Sequence, residues 1–203
     1  PPRSTLFPYT TLFRSFALVV NCVLTPQTLP GANRVLDFCR KHGVLAAFSP
    51  QAVHHWPHYD VLVSQQYADF LDGLMEEKRN GGPVLGSWAY LRALRRFETF
   101  ACYPTLNPRI WVDGSLTFPC RPIERDGGEQ GGRPCRLQDV DYWDEALTLA
   151  LQRYGRPPQT CTSCFQQCYL EPSLMQTHPL VLARELLTSR HSRHGHVAIF
   201  APG

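Results

Sequence analysis

Several features are scarce or missing in this chain of 203 residues, and each narrows the range of functions. No apolar run approaches the roughly 20 residues that a membrane-spanning helix needs. No stretch combines a charged start, an apolar middle and a small-residue cleavage site, as a secretory signal does. The formal net charge is only +3, and no basic stripe is interleaved with aromatic residues. We therefore expect a cytoplasmic protein with neither a membrane nor a nucleic acid as its partner.

Cysteine, in contrast, is abundant, with eight residues in the chain. In a reducing compartment cysteines are more often metal ligands than disulfide partners. Six of them lie in the second half of the sequence: Cys102, Cys120, Cys135, Cys161, Cys164 and Cys168. This clustering predicts a metal centre.

A predicted hairpin organises these cysteines. In residues 109–118 apolar positions alternate with polar ones on both sides of Asp113-Gly114, which is a strong signal for a type I′ turn. Such a hairpin returns Cys102 and Cys120 to the same end of two strands. The downstream pair Cys161-x-x-Cys164, followed by Cys168, can then complete a site with four thiolates.

Thiolate ligation alone suits either zinc or an iron–sulfur cluster. A structural zinc ribbon usually has two CxxC knuckles, but this chain has only one. Seventeen residues separate Cys102 from Cys120, and an extended hairpin can close that gap around a larger group. The spacing therefore favours a [4Fe–4S] cluster over zinc.

The first fifteen residues have neither a helical period nor a strand alternation. Residues 6–15 resemble a translated sequencing adapter, so we expect residues 1–15 to be non-native. On this interpretation the native protein begins upstream of Phe16, and the chain is the C-terminal piece of a longer protein.

Residues 16–25 and 44–49 are short apolar runs, as in strands that are covered on both faces. The amphipathic segment 32–42 between them predicts a helix that ends at Gly43. Together they form a βαβ unit with parallel strands, which needs neighbours to complete a sheet or barrel. We interpret residues 51–63 as a loop.

Helices are predicted over residues 64–80, capped by Ser64, and over residues 87–97, capped by Ser87. A third is expected over residues 140–154, with Trp143, Ala146 and Leu147 among its inward side chains. A fourth is expected over residues 171–187, with interruptions at its prolines. Cys22 and Cys39 lie in the apolar strand and helix, and we interpret them as small buried hydrophobic residues.

The order and spacing of the cysteines resemble the auxiliary-cluster region of radical S-adenosylmethionine enzymes of the SPASM or twitch type. Gly114 lies between the first two cysteines, as in that family. Residues 20–25 and Phe48-Ser49-Pro50 resemble the last strands of the family's partial (β/α)6 barrel. The resemblance covers about residues 16–170, but the CxxxCxxC motif of the catalytic cluster and the glycine-rich strand are absent.

The resemblance implies an α/β fold, the end of a partial (β/α)6 barrel, followed by a small α+β domain of the twitch or SPASM type with cysteine ligands. The corresponding division is 1–15 non-native, 16–75 incomplete barrel and 76–203 auxiliary iron–sulfur domain. The implied ligands are Cys102, Cys120, Cys161 and Cys164. Cys168 is the alternative for the fourth place, with Cys135 behind it.

The intact enzyme would bind S-adenosylmethionine and a second [4Fe–4S] cluster, and it would take electrons from a reductant such as ferredoxin or flavodoxin. Asn21 and Ser49 are the candidates for lining the S-adenosylmethionine cleft. The auxiliary cluster would relay electrons or anchor a small-molecule or peptide substrate, and the fragment alone would be inactive. The alternative is a zinc-stabilised, non-catalytic binding module.

Overall fold

The computed structural model describes most of the chain between residues 18 and 183. The described ranges are 18–53, 56–103, 109–110, 112–117, 136–154, 162, 164–180 and 183. All structural statements below concern these residues.

The predicted βαβ unit is confirmed. Strand β1 (Val19–Leu24) pairs in parallel with β2 (Leu45–Pro50), in a register that runs from Val19↔Leu45 to Leu24↔Pro50. Helix α1 (Ala32–His42) connects them. It ends at Gly43, whose φ of +65° is the left-handed conformation that glycine adopts without a steric cost.

A third parallel segment, which the sequence pattern did not indicate, lies beside β2. The amide of Ala46 donates to the carbonyl of Pro83 at 2.7 Å, and the amide of Leu85 donates to the carbonyl of Ala46 at 2.8 Å. The contact is one bridge long and is flanked by Gly82 and Gly86, so it is too short to produce a strand alternation.

The expectation that both strands are covered on both faces is right for β2 and wrong for β1. Residues 46–50 of β2 are all buried. In β1 the face that carries Val19, Asn21 and Val23 is exposed, and Val23 is 47% exposed. The other face of β1 packs into the core. In the described chain β1 pairs only with β2. Apolar side chains such as Val19 and Val23 therefore lie on an exposed face of the strand.

Residues 51–63 are more regular than the predicted loop. Strands β3 (Ala52–Val53) and β4 (Trp56–Pro57) pair antiparallel, and the single turn α2 (Tyr59–Leu62) follows. The ring Nδ1 of His58 accepts a hydrogen bond from the amide of Asp60 at 3.2 Å and so caps this turn. His54 and His55 lie outside the described residues.

Both predicted helix caps are confirmed. Helix α3 (Gln65–Arg79) is capped by Ser64, and α4 (Trp88–Arg96) by Ser87. In each case the serine Oγ accepts from the amide three residues later, at 3.2 Å and 3.0 Å respectively. The cap satisfies an amide that would otherwise have no partner in the helix.

The core joins the sheet to the helices and continues into the cysteine-rich half. Phe48 of β2 meets Phe70 of α3 edge to face, with ring centroids 5.0 Å apart. Phe100, Phe165 and Leu170 belong to the same buried cluster. The boundary predicted between residues 75 and 76 falls inside α3, and apolar contacts continue across it.

The hairpin at residues 109–117 is present, but its turn differs from the predicted type I′ turn. Strands β5 (Arg109–Ile110) and β6 (Leu116–Thr117) pair with Ile110 opposite Leu116, which leaves a five-residue loop. A type I′ turn needs a positive φ at both of its central residues. Gly114 has a φ of +82°, but the φ of Asp113 is not positive, since Phe97 is the only non-glycine residue of the described chain with a positive φ. The carboxylate of Asp113 instead accepts from the amide and hydroxyl of Ser115 at 3.0 Å and 2.7 Å.

The last two helices begin at positions other than those predicted. Helix α5 (Trp143–Tyr154) starts three residues late, and Trp143 is 43% exposed rather than inward, although Ala146 is buried. Helix α6 (Gln167–Thr177) starts four residues early and contains Pro172. Because of this early start, Cys168 lies in the first turn of α6.

Candidate metal centre

Three of the predicted ligand cysteines belong to one small packing cluster. Cys164 is 4% exposed and packs against Tyr169, which is 2% exposed. Cys102 and Cys168, both half-buried, pack against the same pair. We call Cys102, Cys164, Cys168 and Tyr169 the thiol cluster. Its first and last cysteines are distant in sequence, so tertiary structure must bring them together.

Two contacts of Phe100 hold the segment that contains Cys102 next to the downstream cysteines. The amide of Phe100 donates to the carbonyl of Thr162 at 3.1 Å, and Thr162 lies inside the CxxC motif. The ring of Phe100 also meets that of Phe165, with centroids 6.1 Å apart. The backbone bond and the apolar contact together place the Cys102 segment beside Cys164.

Helix α6 is held to two other segments by its own side chains. The amide of Tyr103 donates to Oγ of Ser173 at 2.9 Å. The amide of Ser87, at the start of α4, donates to Oε1 of Glu171 at 2.9 Å. A carboxylate at a helix N-terminus accepts a hydrogen bond from an amide that has no partner within the helix. Its negative charge also interacts favourably with the positive end of the helix dipole.

A buried tyrosine lies between α6 and the sheet. The hydroxyl of Tyr90 donates to the carbonyl of Phe48 in β2 at 2.8 Å. Burial raises the pKa of Tyr90 well above its usual value. The pKa is raised further by the neighbouring acidic groups of Glu171, Tyr67 and Cys168.

Helix α6, which carries Cys168 and Tyr169, contacts the chain just after the third parallel segment. Gly86 and Ser87 directly follow the bridge at Val84, and Ser87 is bound by Glu171. Gly86 has a φ of +109°, and an added Cβ would lie 2.7 Å from the ring of Tyr90. In parallel α/β sheets, ligands bind outside the carboxyl ends of the strands. Helix α6 docks beside the carboxyl end of the third segment, where Glu171 binds Ser87.

The remaining predicted ligands cannot be placed. Cys120, Cys135 and Cys161 lie outside the described residues. Within the described ranges, no three His, Cys, Asp or Glu side chains form a group that could hold a metal ion.

Cys22 lies in β1 and Cys39 in α1, and neither belongs to the thiol cluster. Cys39 is fully buried, as expected for a small hydrophobic residue, and Cys22 is half-buried. Burial raises the pKa of both thiols, and the nearby Cys39 raises the pKa of Cys22 further. A raised pKa disfavours the thiolate that a metal requires.

Asn21 and Ser49, the candidates for the S-adenosylmethionine cleft, lie on one face of the sheet. Asn21 pairs with Ala47, and Val23 pairs with Ser49, so the two polar residues are offset by two positions on adjacent strands. Ser49 is buried near the end of β2. Asn21 is exposed in the middle of β1 rather than at its end.

The sequence analysis missed Tyr169, Glu171 and Ser173, the α6 residues that belong to the thiol cluster or bind the amides of Ser87 and Tyr103. Because of Pro172, the predicted helix begins at Glu171 and leaves out the first turn of α6. The one available signal is their spacing, because Tyr169 and Ser173 are four residues apart and so share a helix face.

Comparison of the chain with protein families, with curated proteins and with solved structures finds no match. Within the described ranges, none of the helices has the length and apolar character needed to cross a membrane.

Proposed function

We propose that this chain carries a cysteine-ligated [4Fe–4S] cluster and is the C-terminal part of a radical S-adenosylmethionine enzyme. The observation that carries the proposal is the thiol cluster, which collects three of the predicted ligand cysteines from two separate segments. The cysteines expected to be inert, Cys22 and Cys39, lie elsewhere.

The donors in this cluster fit an iron–sulfur group chemically. Thiolates are the usual ligands of such clusters, and Cys164 is nearly buried beside an aromatic ring. Burial and hydrogen bonds near the sulfur atoms set the reduction potential of a cluster. Cys102, Cys164 and Cys168 are the ligands that we propose from their shared packing, although their side chains do not by themselves form a group that could hold a metal in the described part of the chain. Cys120 and Cys161 are the candidates for the fourth position.

The involvement of Cys168 modifies the ligand set that the family resemblance implies. Cys168 lies in the first turn of α6, and this helix is fixed to the rest of the chain at Glu171 and Ser173. A thiol on an anchored helix is better fixed for ligation than one on an unsupported loop. We therefore place Cys168 in the ligand set rather than as an alternative.

The α/β half supports the radical-enzyme part of the proposal. Three parallel segments alternate with α1, α3 and α4, which is the connectivity of a β/α barrel or an open sheet. Helix α6 meets the end of the third segment through Glu171 and Ser87. An auxiliary cluster in this position would lie near the strand ends where barrel enzymes bind their substrates.

The test is the metal content of the chain, purified and reconstituted without oxygen. We expect about four irons and four sulfides per chain, as the [4Fe–4S] stoichiometry requires. Cys164→Ala and Cys168→Ala should lose most of both. Cys22→Ala is the matched control, and it should retain wild-type content because Cys22 lies in β1 and is not a member of the thiol cluster.

One zinc ion without sulfide would overturn the proposal and favour the zinc-stabilised binding module. Wild-type iron and sulfide in Cys168→Ala would remove Cys168 from the ligand set. A chain that retains neither metal after reconstitution would refute the metal centre altogether.

A further inference from the structure

Ser173 is a polar side chain whose position no local rule explains. It lies in the second half of α6 and is completely buried. A buried hydroxyl must find a hydrogen-bond partner, and Ser173 accepts from the amide of Tyr103 at 2.9 Å. This amide immediately follows Cys102, seventy residues earlier in the chain.

Helix α6 contributes to the surroundings of two successive residues, Cys102 and Tyr103. Tyr169 and Ser173 are four residues apart and therefore lie above one another on the same helix face. Cys102 packs against the buried pair of Cys164 and Tyr169, and Ser173 binds the amide of Tyr103. The same helix carries Cys168 one residue before Tyr169, so this face sets the position of Cys102 relative to Cys168.

We infer that Ser173 is a positioning residue for the cysteine-ligated centre and holds the Cys102 segment in register with Cys168. This inference rests on the proposed metal centre. The bond also occupies the amide of Tyr103, which therefore cannot turn toward the thiolate of Cys102. Hydrogen bonds to ligand sulfurs are among the factors that set a cluster's potential.

The alternative is that Ser173 serves only the stability of α6, and Thr177 provides the comparison. Thr177 lies one turn further along the same face, and its hydroxyl donates only within the helix, to the carbonyls of Ser173 and Leu174 at 3.2 Å. Replacing either residue by alanine removes one helical hydroxyl. Only Ser173→Ala breaks a bond to the Cys102 segment.

The experiment uses the full chain reconstituted with iron and sulfide. It measures the rate of iron loss to a chelator and the midpoint potential of the cluster. We expect Ser173→Ala to lose iron about ten-fold faster than wild type, which is typical for the loss of an outer-shell partner. Its potential should become more positive, since the released amide can bond to a thiolate sulfur. Thr177→Ala should match wild type in both measurements.

Ser173→Thr and Ser173→Val provide a second comparison in case the alanine variant does not fold. The two replacements have the same shape and differ only in the hydroxyl, so steric effects cancel between them. The threonine variant should lose iron more slowly than the valine variant. Equal rates in this pair, or wild-type behaviour of Ser173→Ala, would overturn the inference while the metal centre stands. A wild-type chain that binds no cluster would refute the proposed function instead.

Discussion

Tyr90 gives the sharpest stability prediction, because it joins α4 to the sheet through one buried hydrogen bond. Its side chain is fully buried, and its hydroxyl donates to the carbonyl of Phe48 at 2.8 Å. Tyr90→Phe removes the donor and leaves that carbonyl in an apolar setting. A lost bond of this kind costs about 1–2 kcal/mol of unfolding free energy near pH 8.

The cost should depend on pH, because burial raises the pKa of Tyr90 well above its usual value of about 10. Below pH 10 the hydroxyl is neutral in both the folded and the unfolded chain, so this group contributes no pH dependence. Above pH 10 the unfolded chain ionises while the folded chain keeps its proton. Wild type therefore loses about 1.4 kcal/mol per pH unit through Tyr90.

The phenylalanine variant lacks this loss, so its disadvantage should shrink to about zero near pH 11. The assay is urea unfolding of the full chain at pH 8 and at pH 11. A difference between variant and wild type that is the same at both pH values would refute the argument. Tyr142→Phe is the matched control, because Tyr142 is exposed and its replacement should leave the unfolding free energy unchanged at both pH values.

Three further changes test the local structure through the midpoint of urea unfolding. Gly43→Ala should destabilise the chain by about 1 kcal/mol, because the left-handed φ of +65° is strained for alanine. Gly73→Ala, in the exposed interior of α3, has open space around the added methyl group and should stabilise by about 0.5–1 kcal/mol; a loss there would contradict the propensity argument. Ser87→Ala removes the cap of α4 and should cost about 1 kcal/mol, whereas an unchanged midpoint would show that Glu171 suffices at this helix end.

Local signals predicted the α/β half well. The caps at Ser64 and Ser87 and the left-handed Gly43 each depend on residues within one helical turn. The parallel pairing of β1 and β2 follows from the strand–helix–strand order. These features are set by short stretches of sequence, so periodicity and capping rules capture them.

The third parallel segment and the shape of the hairpin turn could not be predicted in this way. The bridge at Val84 is too short for a period, and it forms because residues 83–85 meet an edge of β2. At the hairpin, the Asp-Gly signal indicated the right fold but the wrong turn. Hydrogen bonds from Ser115 hold Asp113 in a longer loop and lower the pKa of its carboxyl group.

Pro172 misled the prediction of α6 for a tertiary reason. A proline inside a helix has no amide to donate to the carbonyl four residues earlier, so a sequence rule ends or starts the helix near it. Here the neighbouring turns are held from outside, by the bonds at Glu171 and Ser173 and by the buried Leu170. Contacts with segments seventy or more residues away therefore stabilise a helix that its own sequence disfavours.

The same contacts bear on how a metal would couple to folding. In many small metal-binding domains the site forms only with the metal, so metal binding supplies the folding free energy. In this chain Leu170 and Phe165 belong to the buried cluster that also contains Phe48 and Leu91. The helix that bears Cys168 is thus packed on the α/β core by apolar contacts that require no metal. The position of Cys168, one member of the proposed ligand set, is therefore supported by core packing that does not depend on a metal.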